Sequence, residues 1–579
     1  MRWILFLCVS LSFFFPNFSW ASNEKTVALV MKALSNPFFS KMEEGARKCA
    51  QDQNIPLEVF GVERETDVER QIGIVENLIS RGYGAVVIAP ADSKKLVAIC
   101  KKALERGIIV INIDNPLHKP TMDQMGISIP FIGSDNYVGA QMVGNYIKRK
   151  LKKRGRVLVL EGIRGVENAD LRKKGFINAV TKNSSIVVVS SESANWHTEE
   201  ALALTAKLLS DNQSIDAIFC ANDAMALGAL QAIEMIGLSK KILIAGYDNI
   251  ESVRAEIRSG RIHATIEQHP ELMGKYGVES AWKKLNGTNI SSYEATPLDL
   301  ITYEHFNKKI AFSVSTMQNL FFSILIEGAK EAADLFGMEL MILDANNQDS
   351  RQLNQIVNAI SQNADFLILN PTNTEAIAPG IEYANNNGTP VVTVDRKVSA
   401  GMVLCHIESD NLQGGTMAAR ILAQHMNGKG SVLELEGIPG TSAAYERGAG
   451  FNKELGRFND IRIVFREVAG FDRQEAKAVA LQILNGGGQF DGVFAHNDNM
   501  ILGVIDAFEE SGRKLPKVLV GFDAIPEAKY AIKQNKLTAT IAQKPRKMGQ
   551  LAVETAACYF RGEKISPARF VDLSIINNR

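Results

Sequence analysis

Residues 246–248 and 264–268 read Gly246-Tyr247-Asp248 and Ala264-Thr265-Ile266-Glu267-Gln268; residues 521–523 and 539–543 read Gly521-Phe522-Asp523 and Ala539-Thr540-Ile541-Ala542-Gln543. The two sets stand at one offset, 275 residues, which also separates Arg172 from Arg447 and Asn222-Asp223 from Asn497-Asp498. Further out, Glu161-Gly162-Ile163 answers Glu436-Gly437-Ile438. Nearer each start, Ser35-Asn36-Pro37-Phe38-Phe39 answers Gln318-Asn319-Leu320-Phe321-Phe322, followed by Glu-Gly-Ala at Glu44 to Ala46 and Glu327 to Ala329. One offset held from Glu161 through Gln268 marks a duplicated domain, because solenoid units repeat every roughly 20 to 50 residues.

Within each copy, short β-branched runs alternate with amphipathic helical stretches. In the first copy the runs are Thr26 to Met31, Ala85 to Ala89, Ile108 to Ile113, Val157 to Leu160, Ala217 to Cys220 and Ile242 to Ala245. Continuous apolar strands separated by helices predict parallel sheets covered on both faces, an α/β fold. The junction between copies falls near Glu304 to Lys309, after Leu298-Asp299-Leu300-Ile301, and has no Gly/Ser tract. The whole chain has 579 residues, 46% of them hydrophobic and 22% charged, the composition of ordinary globular domains. Lys plus Arg and Asp plus Glu both number 64, so no net basic field exists to hold a phosphate backbone, and nucleic acid is not expected as a partner.

Arg2, the apolar run from Trp3 to Phe15, and Ser19-Trp20-Ala21 read as a secretory signal peptide, residues 1–21, cleaved after Ala21. The run falls short of the about 20 apolar residues a membrane span needs. The expected domains are therefore 1–21, 22–305 and 306–579, in a periplasmic protein. Beyond Cys8 in the leader, five cysteines remain, none in C-x-x-C spacing; an odd number cannot form a complete disulfide framework.

Through these motifs each copy resembles the type I periplasmic solute-binding proteins of the ribose-binding family, over nearly the whole mature chain. The resemblance implies two doubly wound parallel-sheet lobes per module, joined by a hinge of three crossovers, with a sugar in the cleft. It carries ligand contacts onto Asn319, Phe321, Phe322, Asn370, Asp395, Arg396, Arg447, Phe471, Asn497, Asp523 and Gln543 in the second copy. In the first copy Asn36, Phe38, Phe39, Asp114, Arg172, Asn222, Asp248 and Gln268 match. Ala89 stands for Asn370, Asn115 for Arg396 and Trp196 for Phe471, which implies a related sugar or polyol with a different hydroxyl pattern. Leu320 replaces the family's usual proline.

These residue types suit a carbohydrate on chemical grounds. Vicinal hydroxyls donate and accept, so a carboxylate and a guanidinium fork bracket them, amides do both, and aromatic rings cover the apolar faces of the sugar ring. Taken singly, Phe38-Phe39 and Phe321-Phe322 read as core aromatics, and Asp223 and Asp498 as helix N-caps. The order and spacing of the set favour ligand contacts.

No phosphate loop, nucleophile elbow or zinc helix occurs, so neither an enzyme nor a cofactor or metal site is expected. The Asp114/Asp248 and Asp395/Asp523 pairs read as hydroxyl acceptors rather than glycosidase carboxylates. The resemblance further implies delivery of sugar to an ABC permease and its ATPase. The alternative is a periplasmic sensor presenting sugar to a chemoreceptor or kinase; a repressor is disfavoured by the leader and the lack of a helix-turn-helix segment before Lys25.

Overall fold

The apolar runs of the first copy become the strands Val27–Ala33, Ala85–Ile88, Ile109–Ile113, Arg154–Glu161, Ala217–Cys220 and Leu243–Ala245, in a computed structural model that describes residues 25–33, 36–211, 214–238 and 242–578. The expected leader lies outside the described residues, among which no helix is long and apolar enough to cross a membrane. The chain divides into two units between Tyr303 and Glu304.

The first unit contains two six-stranded sheets. One runs Tyr293–Ala295, Phe131–Gly133, Ile109–Ile113, Ala85–Ile88, Val27–Ala33, Leu57–Val62, parallel throughout. The other runs Asp299–Thr302, Ala264–Glu267, Leu243–Ala245, Ala217–Cys220, Arg154–Glu161, Ser185–Ser193, and only the Asp299–Thr302 edge is antiparallel. Every residue of Val27–Ala33, Ala85–Ile88 and Ala217–Cys220 is buried, as expected of sheets with helices on both faces. Each fully buried Val, Leu or Ile there contributes roughly 1.5 to 3 kcal/mol over its exposed state.

The chain crosses between the sheets three times: after Gly133, after Glu267 and after Ala295. The second unit repeats the plan. Its sheets begin with Lys309–Val314 and Lys429–Glu436, each second from a sheet edge, and its crossings follow Ser409, Ala542 and Val571. Each unit is therefore two doubly wound lobes joined by three strands of chain.

The Glu-Gly-Ala motif has a packing explanation. In the first unit Pro37–Gln53 packs on Pro270–Leu285, the helix that follows the second crossing. A Cβ on Gly45 would stand 1.9 Å from the Glu271 carbonyl oxygen, and one on Gly328 would stand 2.0 Å from that of Arg546. Close approach of two helix backbones demands glycine here.

Because both six-stranded sheets of the first unit are complete before Glu304, a chain ending at Tyr303 is expected to fold alone. Calorimetry and near-ultraviolet circular dichroism should show one cooperative transition with native side-chain packing. A molten or aggregated product would show that the two copies depend on a shared core.

Candidate functional site

Strand ends and the loops that follow them build both clefts, as expected where open α/β sheets meet beyond their carboxyl ends. In the second unit, Asn319 ends the loop after Lys309–Val314 and caps the helix Leu320–Phe336, its side chain accepting from the Phe321 backbone N–H at 3.0 Å. The cap fixes the helix start so that Phe321 and Phe322 follow, buried and edge-to-face at 5.2 Å between ring centres. Asp395 and Arg396 follow Val391–Val394 on the same lobe. From the other lobe come Arg447 in the helix Ser442–Leu455, Phe471, Asn497, Asp523 at the end of Val518–Asp523, and Gln543 at the second crossing.

These residues, with Ala443, line one cavity. Asp523 accepts from Gln543 Nε2 at 2.8 Å and lies 3.8 Å from the Arg447 guanidinium. Arg447 is held from behind: its Nε donates to Asn411 Oδ1 at 2.9 Å, an Nη donates to the His496 carbonyl at 2.7 Å, and its plane lies 4.0 Å from the Phe522 ring centre. Arg396 sits 5.5 Å from Phe322 and 5.7 Å from Phe471, which reaches over from the opposite lobe. Rings, cations and carboxylates thus surround one space between the lobes.

Direct bonds span the lobes. The Lys397 backbone N–H donates to Ser442 Oγ at 2.9 Å, the Thr374 N–H to the Gly440 carbonyl at 3.1 Å, and Lys397 Nζ lies 2.6 Å from Glu446. The second unit is therefore described with its cleft shut.

Of the expected residues of the second copy, Asn370 alone is displaced from the cavity wall. Its Oδ1 accepts from the Ser315 N–H at 3.1 Å, and its Nδ2 donates to the Val394 carbonyl at 3.1 Å and to Asp395 Oδ2 at 3.3 Å. Every direction of the amide is occupied, so it orients Asp395 from behind.

In the first unit Asn36, Phe38, Phe39, Asp114, Arg172, Trp196, Asn222 and Asp248 line a matching cavity. Arg172 lies 3.3 Å from Asp248 and 3.9 Å from the Tyr247 ring centre, as Arg447 does with its counterparts. Asn115 and Gln268 stand outside this cavity. Asn115 Nδ2 donates to the Pro90 carbonyl at 3.0 Å and its Oδ1 accepts from Ser93 and from the Asn168 N–H, both at 3.3 Å, so it links lobes instead of facing the cleft. Gln268 donates to Asp248 at 2.7 Å and accepts from Ser134 at 2.6 Å.

Sequence reasoning missed Lys32, Glu65 and Asn168, which also line the first cavity. Lys32 could have been found as the first charge after the apolar run Val27 to Met31, at a strand's carboxyl end. Glu65 follows the strand Leu57–Val62 in the same way. The expected caps are also corrected: Asn222 and Asn497 cap the helices, accepting from the Met225 and Met500 N–H groups. Asp223 and Asp498 are buried instead, where they accept from Thr265 and Ile250, and from Thr540 and Ile525, and so hold the loops that carry Asp248 and Asp523.

Both clefts contain the same departures from ordinary backbone geometry. Asp114 and Asp395 have φ of 63° and 65°, Trp196 and Phe471 70° and 61°, and Asp248 and Asp523 114° and 111°. Non-glycine residues there cost about 1 to 3 kcal/mol each and persist where surrounding structure enforces them, typically at functional sites. Burial pushes the Asp248 and Asp523 carboxyls up to about 7, against the pull of Arg172 and Arg447. Among the described residues five cysteines are free, four of them buried.

Two shut clefts, each between a pair of hinged parallel-sheet lobes, define a tandem two-lobed solute-binding protein of type I architecture. The chain belongs to the periplasmic binding protein domain family, whose model matches residues 27–289 and again 310–564. It is 38% identical over 282 residues to the D-ribose/D-allose-binding protein of Pseudomonas aeruginosa, covering 48% of this chain and 88% of that one. It is 40% identical over 262 residues to the ribose import binding protein RbsB of Bacillus subtilis, covering 45% and 85%. Among solved structures, an ABC transporter periplasmic solute-binding protein from Actinobacillus succinogenes with bound D-allose is 35% identical, covers 48% of this chain and 98% of that one, and has a TM-score of 0.47. These relatives are binding proteins by name, not enzymes.

Proposed function

We propose that the chain is an exported receptor, freed from a leader at residues 1–21, that captures one monosaccharide or polyol in each of its two modules and passes them to an ABC importer. The observation that carries this reading is the second cleft's pairing of Asp523 with Arg447 and of Asp395 with Arg396, beside Phe322 and Phe471, both pairs buried between the lobes. Neutral hydroxyls suit such a site. Each can donate to a carboxylate and accept from a guanidinium, and a ligand lacking one would leave a buried group unpaired. Ribose and allose, the sugars of the relatives, are the first candidates for the second module. Closure of the lobes on ligand supplies the signal by which a permease distinguishes loaded from empty receptor.

Isothermal titration of the mature protein against pentoses, hexoses and polyols tests the reading, and binding of none would defeat it. The same titrations carry a pH prediction. In the empty protein Asp523 keeps its proton to about pH 7, whereas the unfolded chain loses it near the ordinary carboxylate value. The folded state then binds more protons between those values, so this group's contribution to stability is lost as pH rises through about 7. A sugar hydroxyl donates more strongly to Asp523 as the ionised carboxylate than as the protonated acid. Affinity should therefore rise between pH 6 and pH 8, with proton release detected by titrating in buffers of different ionisation enthalpy.

A further inference from the structure

We infer that Lys32 and Glu65 set the specificity of the first cleft, so that the chain holds two different polyhydroxylated ligands rather than two copies of one. The inference rests on the sugar-binding reading above and goes further by dividing each cleft into a shared half and a private half.

The shared half belongs to the lobe carrying the arginine. Arg172 and Arg447, Asn222 and Asn497, Asp248 and Asp523 stand alike, each arginine backed by an aromatic ring, Tyr247 or Phe522, at 3.9 and 4.0 Å. One end of either ligand therefore meets the same arginine, asparagine and aspartate, beside Asn168 and Trp196 in the first cleft and Ala443 and Phe471 in the second.

The opposite lobe differs by a concerted exchange. In the second cleft Ser315 and Asn370 are bonded to each other, and the cation is the Arg396 fork. In the first cleft Ala89 takes the place of Asn370, Asn115 is consumed in holding Pro90 and Asn168, and the cation comes from Lys32, at the position of Ser315. Lys32 Nζ lies 3.0 Å from Asp114 Oδ2, 3.7 Å from Glu65 Oε2 and 5.5 Å from the Phe39 ring centre. Burial alone would lower its pKa, but Asp114 and Glu65 outweigh that and raise it, so the ammonium stays charged.

Glu65 has no counterpart in the second unit. Gln71 and Gln352 occupy equivalent places, each donating to the carbonyl of the residue after the third strand, Ala89 or Asn370, at 2.9 Å. Leu57 and Gln71 are 14 residues apart where Leu340 and Gln352 are 12 apart, so Glu65 arises from a loop two residues longer. Asn36 Nδ2 donates to it at 3.3 Å and holds it at the cleft.

The private end of the first ligand thus meets two carboxylates and a point-like ammonium; that of the second meets one carboxylate and a planar fork. A hydroxyl pattern satisfying one set leaves buried groups of the other unpaired, which is the strong form of discrimination.

The test uses the full mature chain and titration calorimetry with D-ribose, D-allose, D-arabinose and myo-inositol. Arg447→Ala silences the second cleft and Arg172→Ala the first, so each ranking is read separately. The best ligand of the first cleft is expected to bind the second at least a hundredfold more weakly. In the Arg447→Ala background, Glu65→Gln and Lys32→Met should each change the ratio between the first cleft's best two ligands by tenfold or more. Glu65 is on a loop and partly exposed, so its variant remains informative if Lys32→Met fails to fold. Identical rankings in the two clefts, equal weakening of all ligands by Glu65→Gln, or a first cleft that binds none while the second binds, would each overturn the inference. Failure of every ligand at both clefts would instead overturn the sugar-binding reading.

Discussion

Replacing Arg447 with alanine is expected to lower the affinity of the second cleft for its sugar by about 2 to 5 kcal/mol, the cost of removing one partner from a buried, hydrogen-bonded charge contact. That corresponds to a loss of roughly thirtyfold to several thousandfold in Kd. The side chain is buried, and its fork is aimed by Asn411, the His496 carbonyl and the face of Phe522, so little ordering remains to be done when ligand arrives. Its removal also takes away the cation that opposes the burial of Asp523, so that carboxyl should hold its proton to still higher pH. Two measurements separate the parts. Titration calorimetry on the full chain reads affinity, with the first cleft as an internal control. Arg447→Lys, which keeps the charge but loses the fork, should fall between wild type and Arg447→Ala. Unchanged affinity in Arg447→Ala would remove this residue from the binding machinery.

The second large effect is expected at a residue with no side chain. A Cβ on Gly437 would lie 2.1 to 2.5 Å from three ring carbons of Phe471, and one on Gly162 would meet Trp196 equally closely. The glycine of each Glu-Gly-Ile motif is therefore the floor on which the cleft aromatic rests. Phe471 is held at a φ of 61° between Gly470 and Asp472, the latter the N-cap of Arg473–Asn485, so the backbone cannot readily move with the ring. Gly437→Ala should tip the ring off its seat. We expect a loss of sugar affinity of at least tenfold in the second cleft and a destabilisation of about 1 to 3 kcal/mol, the usual cost of overpacking. Calorimetric titration and thermal unfolding measure the two separately. Full affinity in this variant would show that Phe471 does not cover the sugar. Removing the ring by Phe471→Ala beside Gly437→Ala should restore stability but not affinity.

The duplication and both sheet systems were legible because strand burial on two faces writes itself as uninterrupted runs such as Val27 to Met31, and because a repeat preserves offsets. Site residues with a counterpart in both copies, including Arg172 and Arg447, were legible for the same reason. Asn370 and Asn115 show where this stopped. An amide at a strand's end reads the same whether it faces a ligand or orients the carboxylate beside it. Only the positions of Ser315, Val394 and Asp395 show that Asn370 does the latter. Lys32 and Glu65 went unread because Lys32 is answered by Ser315 and Glu65 by no residue of the second copy, and comparison between copies detects only what was kept.

Local order in this chain thus followed from patterning: alternation of strand and helix, and motifs repeated in the same sequence order in each copy. These features depend on neighbours a few residues away or on the repeat itself. The identity of each cleft came from elsewhere. Lys32, Glu65 and Asp114 are far apart along the chain and meet because three parallel strands end at one edge of a sheet. The balance of charge inside a shut, low-dielectric space depends on such meetings, and no local pattern records the distance between side chains brought together by the winding of a sheet.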